Sequence, residues 1–215
     1  MIRLHHIAQA RSFRVLWFLH EAGLSHEVVR HSIFDKAIRS PDFLALSPAG
    51  RVPAVELDGQ TLFESGAILE LLTETRAPHL GSAPGDADRA RYLEWLHFAE
   101  TIGAHLANLT QQHIILREDH MRSPTVMRLE AKRLEKCLLA AAQARQGAGV
   151  LGRFSTADIA LGYGLLIGAK FLRYADPALL AWQADLLARP ALQAALAEDG
   201  VAEIYTRDFY EAPDG

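Results

Sequence analysis

A carboxylate and a hydroxyl stand side by side at the start of a predicted helix, at Glu64-Ser65. The first turn of a helix leaves backbone N–H groups without partners, and these groups favour anions. Together the three kinds of group suit a ligand that carries both an ammonium and a carboxylate, such as an α-amino-acid end. The alternative is an ordinary helix N-cap, which is the commoner use of such residues.

A second hydroxyl, that of Ser12, lies just before the first predicted helix. At this position it could donate a hydrogen bond to an anion such as a thiolate, and the positive end of the helix dipole would add favourable potential. The alternative is a serine that caps Val15. No Ser–His–Asp arrangement accompanies Ser12, so hydrolase chemistry of that kind is not predicted.

The dipeptide Val52-Pro53 follows a polar turn, Ser47–Arg51, and begins a predicted strand. A proline at the first position of a strand can leave the backbone carbonyl and amide of Val52 free to pair with an extended ligand. If the Val52-Pro53 bond is cis, the turn is a deliberate feature of the fold. The alternative is that Pro53 merely starts the strand.

Neither metal chemistry nor protein-thiol chemistry is predicted. The pairs His5-His6 and His113 with His120 have no third ligand at a recognisable spacing. The single cysteine, Cys137, excludes an internal disulfide and a Cys-x-x-Cys redox pair.

Composition narrows the classes of partner. The chain has 215 residues, of which 50% are hydrophobic and 22% are charged, as in ordinary globular proteins. A net charge of −4 is too near neutral to create the basic field used in nucleic-acid binding. The first ten residues lack a signal peptide's apolar segment, and the longest apolar run, 159–169, is interrupted by glycines and shorter than the ~20 residues of a membrane span. We expect a cytoplasmic protein without a membrane partner.

Two domains are predicted to position these residues. Short alternating segments around Ile2 and Glu27 flank a helical pattern, and Asp58-Gly59 marks an antiparallel hairpin, so residues 1–78 are predicted to form an α/β domain. Gly and Pro punctuate 79–86, which is predicted to be a linker. From Tyr92 onward apolar residues recur at spacings of three and four, so 87–215 is predicted to be an all-helical bundle domain.

The order of three motifs carries a family resemblance: Ala10-Arg11-Ser12-Phe13-Arg14-Val15-Leu16-Trp17, then Ser47-Pro48-Ala49-Gly50-Arg51-Val52-Pro53, then Phe63-Glu64-Ser65-Gly66-Ala67-Ile68. This series resembles the cytosolic glutathione S-transferases over nearly the whole chain. The first motif is most similar to the bacterial and fungal branch with the pattern Ser-Arg-Ser-x-Arg, whose first serine is replaced here by Ala10.

The resemblance implies a thioredoxin-like domain followed by a helical domain, the glutathione S-transferase fold, in a homodimer with glutathione as cosubstrate and no metal. It implies that Glu64 and Ser65 hold the γ-glutamyl end and that the Val52 backbone pairs with the cysteinyl unit beside a cis Pro53. Arg51 would meet the glycyl carboxylate. Glu100 would reach the ligand bound in the partner subunit.

The function implied is that of a detoxifying glutathione transferase, which lowers the pKa of the bound thiol and presents the thiolate to a small hydrophobic electrophile. Ser12 is the predicted catalytic hydrogen-bond donor, and backbone amides are the alternative donor. Glutathione-dependent peroxidase or isomerase activity would use the same site. The rival hypothesis is a non-catalytic protein of this fold that binds ligands or partners.

Overall fold

The computed structural model describes residues 1–212, which divide into two compact units. The first unit comprises Met1–Asp86 and Leu187–Ile204. The second comprises Ala87–Leu186 and the described residues from Tyr205 onward. Within the described part of the chain, no helix combines the length and the apolar character needed to cross a membrane.

The first 86 residues form a mixed sheet with helices, in the chain order β1 (Ile2–His6), α1 (Ser12–Glu21), β2 (His26–Arg30), a 3-10 helix (Lys36–Arg39), α2 (Pro41–Leu46), β3 (Ala54–Leu57), β4 (Gln60–Phe63), α3 (Ser65–Arg76) and a 3-10 helix (Pro78–Leu80). The strand order is β2-β1-β3-β4, with β1 parallel to β2 and the other pairs antiparallel. Asp58 and Gly59 both have positive φ, as a two-residue type I′ turn requires. The predicted hairpin is therefore confirmed.

The second unit is helical. Its long helices are α4 (Arg89–Thr110), which continues into a π-helical turn (Gln111–Ile115), α5 (Pro124–Ala144), α6 (Thr156–Gly168) and α7 (Pro177–Leu187), with a 3-10 helix (Asp119–Met121) before α5. At Gly164 of α6, an added Cβ would lie 2.5 Å from the side chain of Ile102 on α4. Glycine at this position therefore lets α4 and α6 approach closely.

The last helix, α8 (Pro190–Asp199), returns to the first unit, where it packs on α1 and buries Leu192 and Ala195. Arg189, at its start, forms a bidentate ion pair with Glu21 of α1, at 2.6 and 2.8 Å. At its end, the Asp199 carboxylate accepts from the backbone N–H of Gln9. The structure thus differs from the predicted bounds: 187–204 belong with the first unit, as do the residues predicted as a linker.

The first turn of α6 is held by a buried carboxylate, that of Asp158, which is 1% exposed. It accepts hydrogen bonds from the backbone N–H groups of Val150 and Ser155, both at 2.9 Å, and from the Ser155 hydroxyl at 2.7 Å. The Ser155 side chain accepts in return from the Asp158 backbone, which completes a capping box. An added Cβ at Gly149 would lie 2.5 Å from this carboxylate, so the preceding loop fits closely over it.

A second buried carboxylate, that of Glu130 on α5, contacts three polar side chains. It contacts His105 at 2.7 Å, Asn108 at 3.1 Å and Arg133 at 2.6 Å. Burial alone would raise the pKa of Glu130, but hydrogen bonds from these three residues outweigh it, and the pKa lies below its usual value of 4.5.

Glu130 should therefore stabilise the protein fully above pH 4.5, and this contribution should be lost as the pH falls through its lower folded-state pKa. Thermal unfolding of the wild type and Glu130→Gln, followed from neutral to acidic pH, measures the effect. We expect the wild type to have the higher Tm near neutrality and the gap to narrow in acid. A gap that is constant with pH would contradict the assignment.

Candidate functional site

Strand register brings two of the predicted segments together at one end of the sheet. Ala54 of β3 pairs with Phe63 of β4, so Pro53, which precedes the first strand, and Glu64, which follows the second, are neighbours. Ala54 also pairs with His5 near the end of β1. The chain leaves β1 at this same end to enter α1, so the first turns of α1 and α3 and the turn before β3 converge there.

A buried arginine ties the first turn of α1 to that of α3. Arg14 is fully buried and donates from its guanidinium to the Ser65 hydroxyl at 3.2 Å. An Arg side chain is almost never fully buried unless it is paired, and this hydrogen bond is one of the contacts that Arg14 makes. The same bond holds the Ser65 hydroxyl in place. Arg14 belongs to a motif quoted from the sequence, but its spacing gave no sign of this structural role.

Glu64 presents its carboxylate to solvent from a strained backbone position. It precedes α3 with φ 71° and ψ 111°, in a region that residues other than glycine rarely adopt. Such a conformation costs on the order of 1–3 kcal/mol and is commonest at functional sites. The neighbouring Ser65 begins the helix and is buried.

The Val52-Pro53 peptide bond is cis, which confirms the prediction for Pro53. Val52 packs against an apolar cluster formed by Ile7, Ile38 and Phe43. Ala10, just before α1, packs against the same cluster. Val52 and the start of α1 are therefore supported by the same apolar cluster.

Basic side chains border the turn that carries Arg51. Arg51 is exposed, and it follows Gly50, where an added Cβ would lie 2.9 Å from the Ile38 carbonyl oxygen of the first 3-10 helix. That helix lines a shallow depression of about 480 Å³ that includes Lys36 and Arg39. These two residues were not identified from the sequence, because neither lies in a recognisable motif.

The structure does not support the predicted role of Ser12. Its side chain is fully buried, and its hydroxyl accepts from the Ile7 backbone N–H at 3.2 Å and donates to the Ile7 carbonyl at 3.3 Å. The hydroxyl thus closes the turn between β1 and α1. In this arrangement the hydroxyl proton is directed at Ile7 and not at a ligand.

The remaining predicted site residue, Glu100, lies on α4 in the second unit, and its side chain is partly buried. Two histidines considered as metal ligands have protein partners in the first unit: His5 contacts Glu56 at 3.1 Å and His31 at 2.9 Å, and His6 contacts Asp199 at 3.0 Å.

Comparisons with solved structures identify the fold. A glutathione transferase homolog from Lodderomyces elongisporus, solved with two GSH per subunit, superposes with a TM-score of 0.81 at 23% identity over 92% of this chain and 98% of that one. A glutathione transferase from Methylococcus capsulatus superposes with a TM-score of 0.77 at 27% identity over 93% and 99%. The chain therefore has the glutathione S-transferase fold, a thioredoxin-like domain with a helical domain.

Sequence comparisons locate the family likeness in the first unit. Residues 1–74 match the family described as glutathione S-transferase, N-terminal domain. Glutathione S-transferase 3 of Schizosaccharomyces pombe is 38% identical over 101 residues, which are 46% of this chain and 41% of that protein. Maleylacetoacetate isomerase of Rhizobium meliloti is 38% identical over 86 residues, 39% of this chain and 40% of that protein. The chain thus spans about two fifths of the length of these curated relatives.

Proposed function

We propose that this protein is a glutathione transferase. The observation that carries the proposal is the meeting of three segments at one end of the sheet: the turn with cis Pro53, the Glu64-Ser65 start of α3 and the start of α1. The family match of residues 1–74 and the relatives named as glutathione S-transferases support it.

Each part of the tripeptide has a matching group at this site. The exposed Glu64 carboxylate would bind the γ-glutamyl ammonium, while the Ser65 hydroxyl and the first N–H groups of α3 would bind its carboxylate. The Val52 backbone would pair with the cysteinyl unit. Arg51, with Lys36 and Arg39 nearby, would attract the glycyl carboxylate.

The thiol would lie against the start of α1, where the helix dipole favours its anionic form. Ser12 donates its hydroxyl proton to Ile7, and the backbone N–H groups of Phe13 and Arg14 donate to the carbonyls of Ala10 and Arg11. The backbone N–H of Ser12 is therefore the donor we assign. A charge-assisted hydrogen bond is worth about 1.5–3 kcal/mol, which lowers a thiol pKa by about one to two units. The resulting thiolate would attack a small hydrophobic electrophile.

The titration of the bound thiol tests this proposal. Thiolate absorbance of glutathione, followed against pH with saturating protein, should give a pKa well below the free value of about 8.5. Turnover with generic electrophiles should accompany the shift. Tight binding with an unshifted thiol pKa and no turnover would instead favour a non-catalytic ligand-binding protein. Two observations favour this rival hypothesis: Ala10 replaces the first serine of the branch pattern, and Ser12 is buried.

Ser12→Ala should leave the thiol pKa of bound glutathione and the turnover number unchanged. It should lower the free energy of unfolding by about 1–2 kcal/mol, because the Ile7 backbone N–H and carbonyl lose their buried partner. Chemical denaturation and the absorbance titration measure the two effects separately. A thiol pKa that rises in the variant would restore Ser12 as the activating donor.

The proposal also covers the family branch, the cellular location, the oligomeric state and the domain limits. We place the chain nearest the Ser-Arg-Ser-x-Arg branch and propose a cytoplasmic homodimer in which Glu100 contacts the glutathione of the partner subunit. We propose as functional halves Met1–Asp86 with Leu187–Ile204, and Ala87–Leu186 with the described residues from Tyr205 onward. Sedimentation of the wild type, and glutathione titration of Glu100→Gln, test the dimer and the contact.

A further inference from the structure

Two histidines and a glutamate meet at the far end of α1 from the proposed glutathione site. His20 lies near the end of α1, His26 begins β2 and Glu198 lies near the end of α8. One ligand atom from each of the three residues lies within 4.8 Å of the others. The Glu198 carboxylate oxygen Oε2 is 2.7 Å from His20 Nε2 and 3.3 Å from His26 Nε2.

The geometry of the two rings suits a shared cation. The His20 and His26 rings are nearly perpendicular, with an interplanar angle of 84°, and both direct Nε2 at the same carboxylate oxygen. In a tetrahedral Zn²⁺ site with bonds of about 2.0–2.2 Å, neighbouring ligand atoms lie about 3.3 Å apart. The His26 contact already has this separation, and the His20 contact reaches it if it widens by about 0.6 Å.

The surroundings of His26 are those of a metal ligand. Its Nδ1 donates to the Leu24 carbonyl oxygen at 2.7 Å, so Nε2, which faces Glu198, is the ring nitrogen left to bind a cation. Metal-binding histidines commonly donate their other N–H to a backbone carbonyl, which fixes the tautomer and the ring. The guanidinium group of Arg30 lies nearby and donates a hydrogen bond to the backbone carbonyl of Glu198.

We infer that His20, His26 and Glu198 form a binding site for a divalent transition-metal cation of the Zn²⁺ class, with water completing the coordination. Imidazole nitrogens and a carboxylate oxygen are a common ligand set for such ions. The three side chains are 22%, 10% and 34% exposed, so the site is sheltered but reachable from solvent.

A cation at this site would have a structural role, because it would join α1, β2 and α8 within the first unit. The ten residues of α1 span about 15 Å, and the proposed glutathione site lies at its other end. Cation binding would therefore stabilise the docking of α8 without contributing to thiol chemistry.

Calorimetric titration of the tag-free protein with ZnCl₂ tests the inference. We expect one Zn²⁺ per chain in the wild type, and no comparable binding of Mg²⁺, which prefers oxygen ligands. Glu198→Gln keeps the size of the side chain and should weaken Zn²⁺ binding at least about 10-fold, since even the loss of outer partners costs about 10–100-fold. Zn²⁺ should raise the Tm of the wild type and should raise that of Glu198→Gln less.

A matched pair of double variants locates the site. His20→Asn with His26→Asn should abolish Zn²⁺ binding, whereas the exposed pair His79→Asn with His120→Asn should retain it. Glutathione affinity should be the same in the wild type, in Glu198→Gln and in the two double variants. Loss of glutathione binding in the wild type would contradict the transferase proposal and would leave the Zn²⁺ result unaffected. No Zn²⁺ binding by the wild type, or equal Zn²⁺ affinity in the wild type and Glu198→Gln, would overturn the inference.

Discussion

Replacing Glu64 by glutamine should weaken glutathione binding by about 10–100-fold, which is the worth of one charge-assisted hydrogen bond of about 1.5–3 kcal/mol. The substitution keeps the shape of the side chain and removes the negative charge opposite the γ-glutamyl ammonium. Glu64 is exposed, so its loss leaves no buried group unpaired, and the fold should persist. Calorimetric titration with glutathione measures the change.

Two comparisons make the Glu64 result specific. Glu74→Gln alters the same charge on the exposed side of the same helix and should bind glutathione as the wild type does. A glutathione analogue without its α-amino group should bind the wild type and Glu64→Gln equally, because neither pair contains the proposed contact. If the analogue still discriminates between the two proteins, Glu64 acts in some way other than by holding the ammonium.

Replacing Asp158 by alanine should lower the free energy of unfolding by about 3–5 kcal/mol. The backbone N–H groups of Val150 and Ser155 would stay buried without an acceptor, at about 1–3 kcal/mol each, and the Ser155 hydroxyl would lose its partner as well. Urea unfolding followed by far-ultraviolet circular dichroism measures the loss. We expect it in the transition of the second unit, if the two units unfold separately.

Asp176→Ala is the matched control for this effect. Asp176 also precedes a helix, where it accepts from the Ala178 backbone N–H at 2.8 Å, but it is only partly buried and holds no second loop. Its loss should cost about 1 kcal/mol, the usual value of an N-cap. Equal destabilisation by the two substitutions would mean that burial adds nothing to the Asp158 cap.

The parts of the site that could be predicted from the sequence are those with local signals. Val52-Pro53 and Glu64-Ser65 were identified because they stand next to predicted strands and helices. Their proximity is a consequence of the strand register across the hairpin at Asp58-Gly59. The role of Ser12 could not be decided from the sequence, because a hydroxyl before a helix has the same sequence signal whether it faces a ligand or closes a turn on Ile7. Only the burial of the side chain separates the two.

Contacts that are distant in sequence account for most of what was missed. The sequence of α8 does not identify the surface that covers Leu192 and Ala195, so its place on α1 could not be predicted from the sequence. For the same reason Glu198, 172 residues from His26, gave no metal-ligand spacing. Arg14 could be recognised as part of a motif, but its contact with Ser65 could not be predicted from the sequence.

The return of α8 to α1 also sets the order in which the protein can mature during synthesis. The first unit is discontinuous along the chain: Met1–Asp86 leaves the ribosome early, and 187–204 follows only after Ala87–Leu186. At about 5–20 residues per second, the 113 residues from Asp86 to Asp199 take about 6–23 s to translate. During that interval the surface of α1 that will receive Leu192 and Ala195 is a nascent apolar face. The first unit is completed only when 187–204 has been made, and the second only when the residues from Tyr205 onward follow.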